Sequence, residues 1–194
     1  MSARRIILGI DPGTVVTGYG ILSCSGKQME LIACGAISLG RSSMEHPEKL
    51  KKIFDRVRSL IMEFGAQEMA LEAPFFGKNP QSMLKLGRAQ GAAMAAGLLM
   101  ELPIHEYAPR KVKMAVCGNG AASKEQVLKT LQQVLRFEEK PEFLDASDAL
   151  AVAVCHFYQN NKLPSAGAGG WEAFLKKNPD RVVKRGKGTL PDQM

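Results

Sequence analysis

The sequence has no apolar run near the ~20 residues that a bilayer-spanning helix needs, because charge or glycine interrupts every one. Its opening, Met1-Ser2-Ala3-Arg4-Arg5, leads directly into Ile6-Ile7-Leu8 and is too short for a signal peptide. The expectation is a cytoplasmic chain with no membrane partner. Its four cysteines, Cys24, Cys34, Cys117 and Cys155, form no C-x-x-C pair and show no zinc-ligand spacing with His46, His105 or His156. Reduced thiols are expected. There is no repeat of solenoid length and no Walker A loop, since the segment from Gly118 to Lys124 lacks the required spacing.

The composition is ordinary for a globular chain, with 45% hydrophobic and 23% charged residues, and 194 residues suit one compact core. Lysine and arginine outnumber aspartate and glutamate by 26 to 19, a net charge of +7, which favours a polyanionic partner and nucleic acid first. Composition alone leaves a merely basic soluble protein equally open.

Arg5 to Ile10 is an apolar, β-branched run that stops at Asp11-Pro12-Gly13, a strand running into a tight turn on a carboxylate. Gly18 to Cys24 and Gln28 to Ser38 read as two further strands joined around Ser25-Gly26-Lys27, completing a meander. From Pro47 to Phe64 apolar residues recur at three and four, an amphipathic helix stopped by Gly65. Glu68 to Glu72 is a second strand ending on an acid. A helix over Pro80 to Glu101 follows, with a Gly-, Ala- and Met-rich segment from Gly87 to Met100 suited to close packing. Pro103 to Tyr107 predicts a fifth strand, Pro109 to Val116 a basic helix, Ser123 to Leu135 a helix opening on a capping box, and Glu142 to Gln159 the last helix. Strands alternating with helices predict an α/β layer fold over 1–162. From 163 to 194 the composition shifts to Gly, Ser, Pro, Lys and Arg, and a flexible basic tail is expected.

Asp145 and Asp148 are three apart on a helix and project from one face. Asp11 and Glu72 sit where neighbouring parallel strands would end side by side. Carboxylates so gathered repel, two unit charges ~4 Å apart at an effective dielectric of 20 costing about 4 kcal/mol, so a positive centre is needed. Mg²⁺ or Mn²⁺ suits an all-oxygen cage. Taken singly, an acid at a helix start is ordinarily a cap and one at a strand end a turn residue.

Ile10-Asp11-Pro12-Gly13-Thr14, Thr17-Gly18-Tyr19-Gly20, Glu72 with Phe75-Phe76-Gly77-Lys78-Asn79, Leu84-Lys85-Leu86-Gly87-Arg88-Ala89-Gln90-Gly91 and Asp145-Ala146-Ser147-Asp148-Ala149-Leu150-Ala151 together resemble the RuvC family, in order, from about residue 4 to residue 158. The resemblance implies an RNase H-like fold with a five-stranded mixed sheet flanked by helices. It also implies a homodimer that nicks four-way (Holliday) DNA junctions symmetrically, and metal ligands at Asp11, Glu72, Asp145 and Asp148 for Mg²⁺ or Mn²⁺, two ions per subunit. It places Phe75 against bases near the cut, Phe76 being the better candidate for simple packing, and Lys113 and Lys124 near the scissile phosphate. Lys78, Lys85, Arg88, Arg110 and Lys111, with Lys113, are candidate DNA-phosphate contacts, with solvated surface charge as the plain alternative. Partnership with the branch-migration proteins RuvA and RuvB is also implied. Ala73-Pro74 follows Glu72 where many relatives have Gln, a departure that bears on the preferred cleavage sequence. Two other classes remain to be weighed: an actin-like ATPase, because Asp11-Pro12-Gly13-Thr14 before a hairpin also resembles a phosphate-binding turn, and a junction-binding scaffold without activity.

Overall fold

The computed structural model describes residues 4–40, 44–73, 79–138 and 141–161, the side chains of 141–145 excepted. Phe75, Lys78 and the tail from 163 therefore lie outside the described residues. Along β1 (Arg5–Asp11) side chains alternate between two helical layers: Ile7 enters one core cluster, Leu8 and Ile10 the other. β2 (Val16–Ser25) and β3 (Gln28–Ser38) complete an antiparallel meander, while β4 (Glu68–Glu72) joins β1 in parallel and β5 (Ile104–Tyr107) joins β4 in parallel. The strand order is β3-β2-β1-β4-β5, the mixed RNase H-like sheet. Ile10 is in register with Leu71, one residue before each strand's terminal acid.

Among the described residues, five helices flank this sheet. α1 (His46–Phe64) and α2 (Pro80–Leu99) cover the face that carries Leu8, Ile10, Met69 and Leu71. α1 buries Ile53, Val57, Leu60 and Ile61, the spacing expected of its apolar stripe, and ends at Gly65 in the left-handed conformation. α2 turns Ala89, Ala93, Ala96 and Gly97 inward. Gly87 and Gly91 point the other way, with nothing within contact distance. α3 (Pro109–Cys117), α4 (Lys124–Leu135) and α5 (Pro141–Asn160) cover the opposite face. Ser123 caps α4 through the expected capping box with Gln126.

α5 is the central helix of its layer, touching β1, β2, β3 and β4, and its residues 149–157 are buried almost without interruption. Its approach is set by a pair of glycines. Gly9 and Gly20 face each other in the β1–β2 register, and a Cβ on Gly9 would stand 2.2 Å from the carbonyl oxygen of Ala149 and 2.9 Å from Ala153 Cβ. One on Gly20 would stand 2.9 Å from Leu150 Cα. The helix backbone thus lies directly on the sheet backbone, which any side chain there would prevent.

Gly9→Ala must therefore lift α5. The expected cost is about 2–3 kcal/mol, the upper range for overpacking a core, because backbone rather than a flexible side chain has to move. Denaturant unfolding would read it as a lower midpoint with unchanged slope.

Candidate active site

Three elements deliver carboxylates to one end of the face that seats α5. β1 stops after Asp11 because Pro12 has no N–H for the ladder, and the turn is stapled by buried Thr17, whose hydroxyl contacts the N–H and the carbonyl of Gly13, each at 3.2 Å. β4 ends on Glu72, which is in register with Tyr107, and the next amide, Ala73 N–H, donates to the Tyr107 carbonyl at 2.9 Å. α5, seated on the glycines, brings Asp148. Opposite stand two lysines. Lys113 comes from α3, which Pro109 opens and Gly118 closes in the left-handed conformation. Lys124 is the first residue of α4, where the helix dipole disfavours a cation. Its ammonium instead meets Asp148 Oδ2 at 2.8 Å. Glu72, Lys113, Lys124 and Asp148 line a cavity of about 250 Å³ floored by Val112, Val127 and Ala151.

Burial sets the electrostatics. Loss of solvent, and then the Asp148 carboxylate, push Asp11 up to about 6 against the pull of Lys124. Loss of solvent, then Asp11 and Asp148, push Glu72 up to about 7, while Lys113 and Lys124 pull it down. Asp11 thus feels the Asp148 charge, and Glu72 feels both. Among the described residues no three His, Cys, Asp or Glu side chains close into a ready ligand shell, and the Asp145 side chain lies outside those residues. The donor set nevertheless fits a hard divalent cation: it is all carboxylate oxygen, partly desolvated and mutually repelling, a combination that a small doubly charged ion relieves.

The other predicted contacts are spread more widely. Lys85 and Arg88 are exposed on α2, in the layer across the sheet from α5. The basic run on α3 diverges, because helical twist sends neighbours to different sides. Lys113 faces the cavity, Lys111 Nζ stands 5.0 Å from the centroid of the Tyr107 ring, and Arg110 Cγ lies against Gly120. A second polar cluster, Glu68, Tyr107 and His156, lies under the same helix. Its only sequence signal was a polar His156 on an otherwise apolar helical face.

The family model of Crossover junction endodeoxyribonuclease RuvC matches residues 7–156. The crossover junction endodeoxyribonuclease RuvC of Cytophaga hutchinsonii is 54% identical over 178 residues, covering 92% of this chain and 88% of the relative. That of Bacteroides fragilis is 55% identical over 182 residues, covering 92% and 96%. Among solved structures, Thermus thermophilus RuvC in complex with Holliday junction substrate superposes with a TM-score of 0.75 at 28% identity, covering 81% of this chain and 95% of that one.

Asp11 and Glu72 bind protons more tightly in the folded chain, at about 6 and about 7, than at their ordinary values of 3.8 and 4.5. The native state therefore holds the extra protons, and stability falls as pH rises from about 4 through about 7. Thermal melts in EDTA should show this decline, and Asp11→Asn should flatten it. At pH 8 the variant should be the more stable protein by on the order of 1 kcal/mol, a fraction of the full shift because the carboxyl keeps some solvent.

Proposed function

The chain belongs to the RuvC family of crossover junction endodeoxyribonucleases, and from that premise we propose that it resolves four-way DNA junctions during recombination and repair. It nicks two strands of like polarity symmetrically and leaves 5′-phosphate and 3′-hydroxyl ends. The observation that carries the reading is the meeting of Asp11, Glu72 and Asp148 at one end of the sheet, with the proton affinities of Asp11 and Glu72 raised and with Lys113 and Lys124 beside them. An actin-like ATPase is not favoured by the family match, and a binding scaffold would have no use for three acids held together at such electrostatic cost.

Mg²⁺, for which Mn²⁺ can substitute, would be held as two ions per subunit by Asp11, Glu72, Asp145 and Asp148, and would supply activation of water and neutralisation of phosphate charge. The chain's own residues do the rest. Lys113 and Lys124 border the cavity and stabilise the charge that develops on the phosphate oxygens. The Lys124–Asp148 pair is half exposed, and such pairs are worth ~0–1 kcal/mol, so Lys124 can exchange that carboxylate for a phosphate at little cost. Phe75 stacks on bases unpaired at the crossover, a contact worth ~1–3 kcal/mol per base. Lys78, Lys85, Arg88, Arg110 and Lys111 hold the backbone of the junction arms without reading sequence.

A two-fold homodimer matches a two-fold substrate. The outer face of α2 supports one, since Leu84 and Leu98 are exposed there beside Gly87 and Gly91. RuvA and RuvB are the proposed branch-migration partners, and residues 163–194, beyond a nuclease domain over 1–162, are proposed to add weak DNA contact. No helix among the described residues is long and apolar enough to cross a membrane. The cytoplasmic site proposed for the chain rests on its DNA substrate.

The test is a labelled, mobile four-way junction incubated with the protein in Mg²⁺ or EDTA, beside a plain duplex. Paired symmetric nicks that need Mg²⁺ and spare the duplex are expected. Asp148→Asn should lose more activity than the ~10–100-fold typical of groups behind a metal ligand, with junction binding intact. Tight binding without cuts across several junction sequences would overturn the nuclease reading in favour of the scaffold.

A further inference from the structure

The face that seats α5 carries the acids at one end and a hydrogen-bonded cluster at the other. His156 lies on α5 eight residues beyond Asp148, ~12 Å along the axis at the α-helical rise, and is fully buried. Both its nitrogens are engaged. Nε2 is 2.7 Å from Glu68 Oε2 at the start of β4, and Nδ1 is 2.7 Å from the Tyr107 hydroxyl at the end of β5. Arg5, at the start of β1, reaches Glu68 Oε1 at 3.1 Å, and Asn160 Nδ2 donates to Glu68 Oε2 at 3.1 Å. The His105 ring lies 4.4 Å from that of His156.

Hydrogen-bond accounting assigns each role. Glu68, beside Arg5, accepts the Nε2–H, and Nδ1 accepts the Tyr107 hydroxyl proton, so a neutral ring in one tautomer satisfies every group. Burial, the largest influence on His156, holds its proton affinity below the ordinary value and agrees with the neutral form. Much of the other contact between α5 and the sheet is apolar, through residues such as Leu150, Val152 and Val154. Apolar attraction is not directional, and a helix held by it alone can slide or rotate slightly at low cost. Bonds of fixed length to two strands at once do not survive such a shift. Tyr107 adds a link to the other end of the face, because its backbone is the register partner of Glu72.

We propose that the Glu68–His156–Tyr107 chain is a positioning device for the carboxylate site. It fixes the axial register of α5 on β4 and β5, and with it the placement of Asp148 relative to Asp11 and Glu72. The inference rests on the nuclease reading above for the role of those acids.

Tyr107→Phe removes one hydroxyl and keeps the ring; Glu68→Gln keeps shape and removes the charge that orients His156. Each full-length variant is titrated with Mg²⁺ alone, following the rise in melting temperature, and then assayed for junction binding in EDTA and for cleavage against Mg²⁺ concentration. The expected result is a ~10-fold higher Mg²⁺ midpoint in both the melting and the cleavage titrations, the low end for groups behind metal ligands. Junction binding should stay within ~2-fold, because the phosphate contacts are untouched. A Mg²⁺ midpoint equal to the wild type's, whether or not the metal-free protein melts lower, would overturn the proposal. The wild-type protein supplies a reading that needs no variant to fold. If the bonded chain favours metal, metal must favour the bonded chain, so Mg²⁺ should slow exchange of the His156 Nε2–H with water, and an unchanged rate would equally overturn it. Wild-type protein that bound Mg²⁺ but cut no junction would sink the nuclease reading alone. Normal cutting with unshifted variants would sink only the positioning role.

Discussion

The arrangement of the site follows from the approach of α5 to the β1–β2 pair, where helix backbone meets sheet backbone. Where Gly9 and Gly20 meet across the ladder there is no side chain, and the carbonyl of Ala149 occupies the space that a Cβ would need. A helix seated this deeply carries Asp148, about two turns in from its start at Pro141, past the carboxyl ends of β1 and β4 and within electrostatic reach of Asp11 and Glu72. The gathering is unfavourable in itself: burial and like charge raise the proton affinity of both strand acids. The long buried stretch of α5, from Ala149 to Phe157, supplies the apolar contact that offsets it. Folding energy from the helix is thus converted into a local concentration of negative charge.

That concentration stands out in a chain of net charge +7. The acids are flanked by cations rather than scattered among them, with Lys113 and Lys124 on the cavity and Lys111 on its neighbouring turn over Tyr107. Basic surroundings draw a phosphate backbone in, and the acid centre would repel it unless cations intervene. Bound divalent ions would reconcile attraction of the polymer with repulsion at the point of chemistry. This is the physical content of the metal dependence proposed here.

Much of this was legible in the sequence, for reasons that are local. Strand ends at Asp11 and Glu72 were marked by Pro12 and by a short apolar run, and two such strands in an α/β chain end together when parallel. The helix that delivers Asp148 was marked by its apolar periodicity, while the Asp145 side chain expected beside it lies outside the described residues. Gly9 and Gly20 carried no such signal, because their meaning depends on facing each other across the ladder beneath a helix some 130 residues away in sequence. The Glu68–His156–Tyr107 cluster was hidden for the same reason, its bonds spanning 88 and 49 residues. The basic run Arg110-Lys111-Val112-Lys113 looked like one continuous track in sequence, yet helical twist divides it among three different neighbours. In α2, small residues point both inward at Ala93 and outward at Gly91, two roles that composition alone cannot separate.

The central claim is that partly buried, proton-holding carboxylates form a cation centre. Calorimetric titration of Mg²⁺ into the protein at pH 6.5, repeated in buffers of different ionisation heat, tests it most directly. With Asp11 near 6 and Glu72 near 7, binding should expel roughly one proton per site, seen as a heat that varies linearly with the buffer's ionisation heat and fades by pH 9. A binding heat independent of buffer at pH 6.5 would mean that the ion does not displace these protons, and would contradict the account.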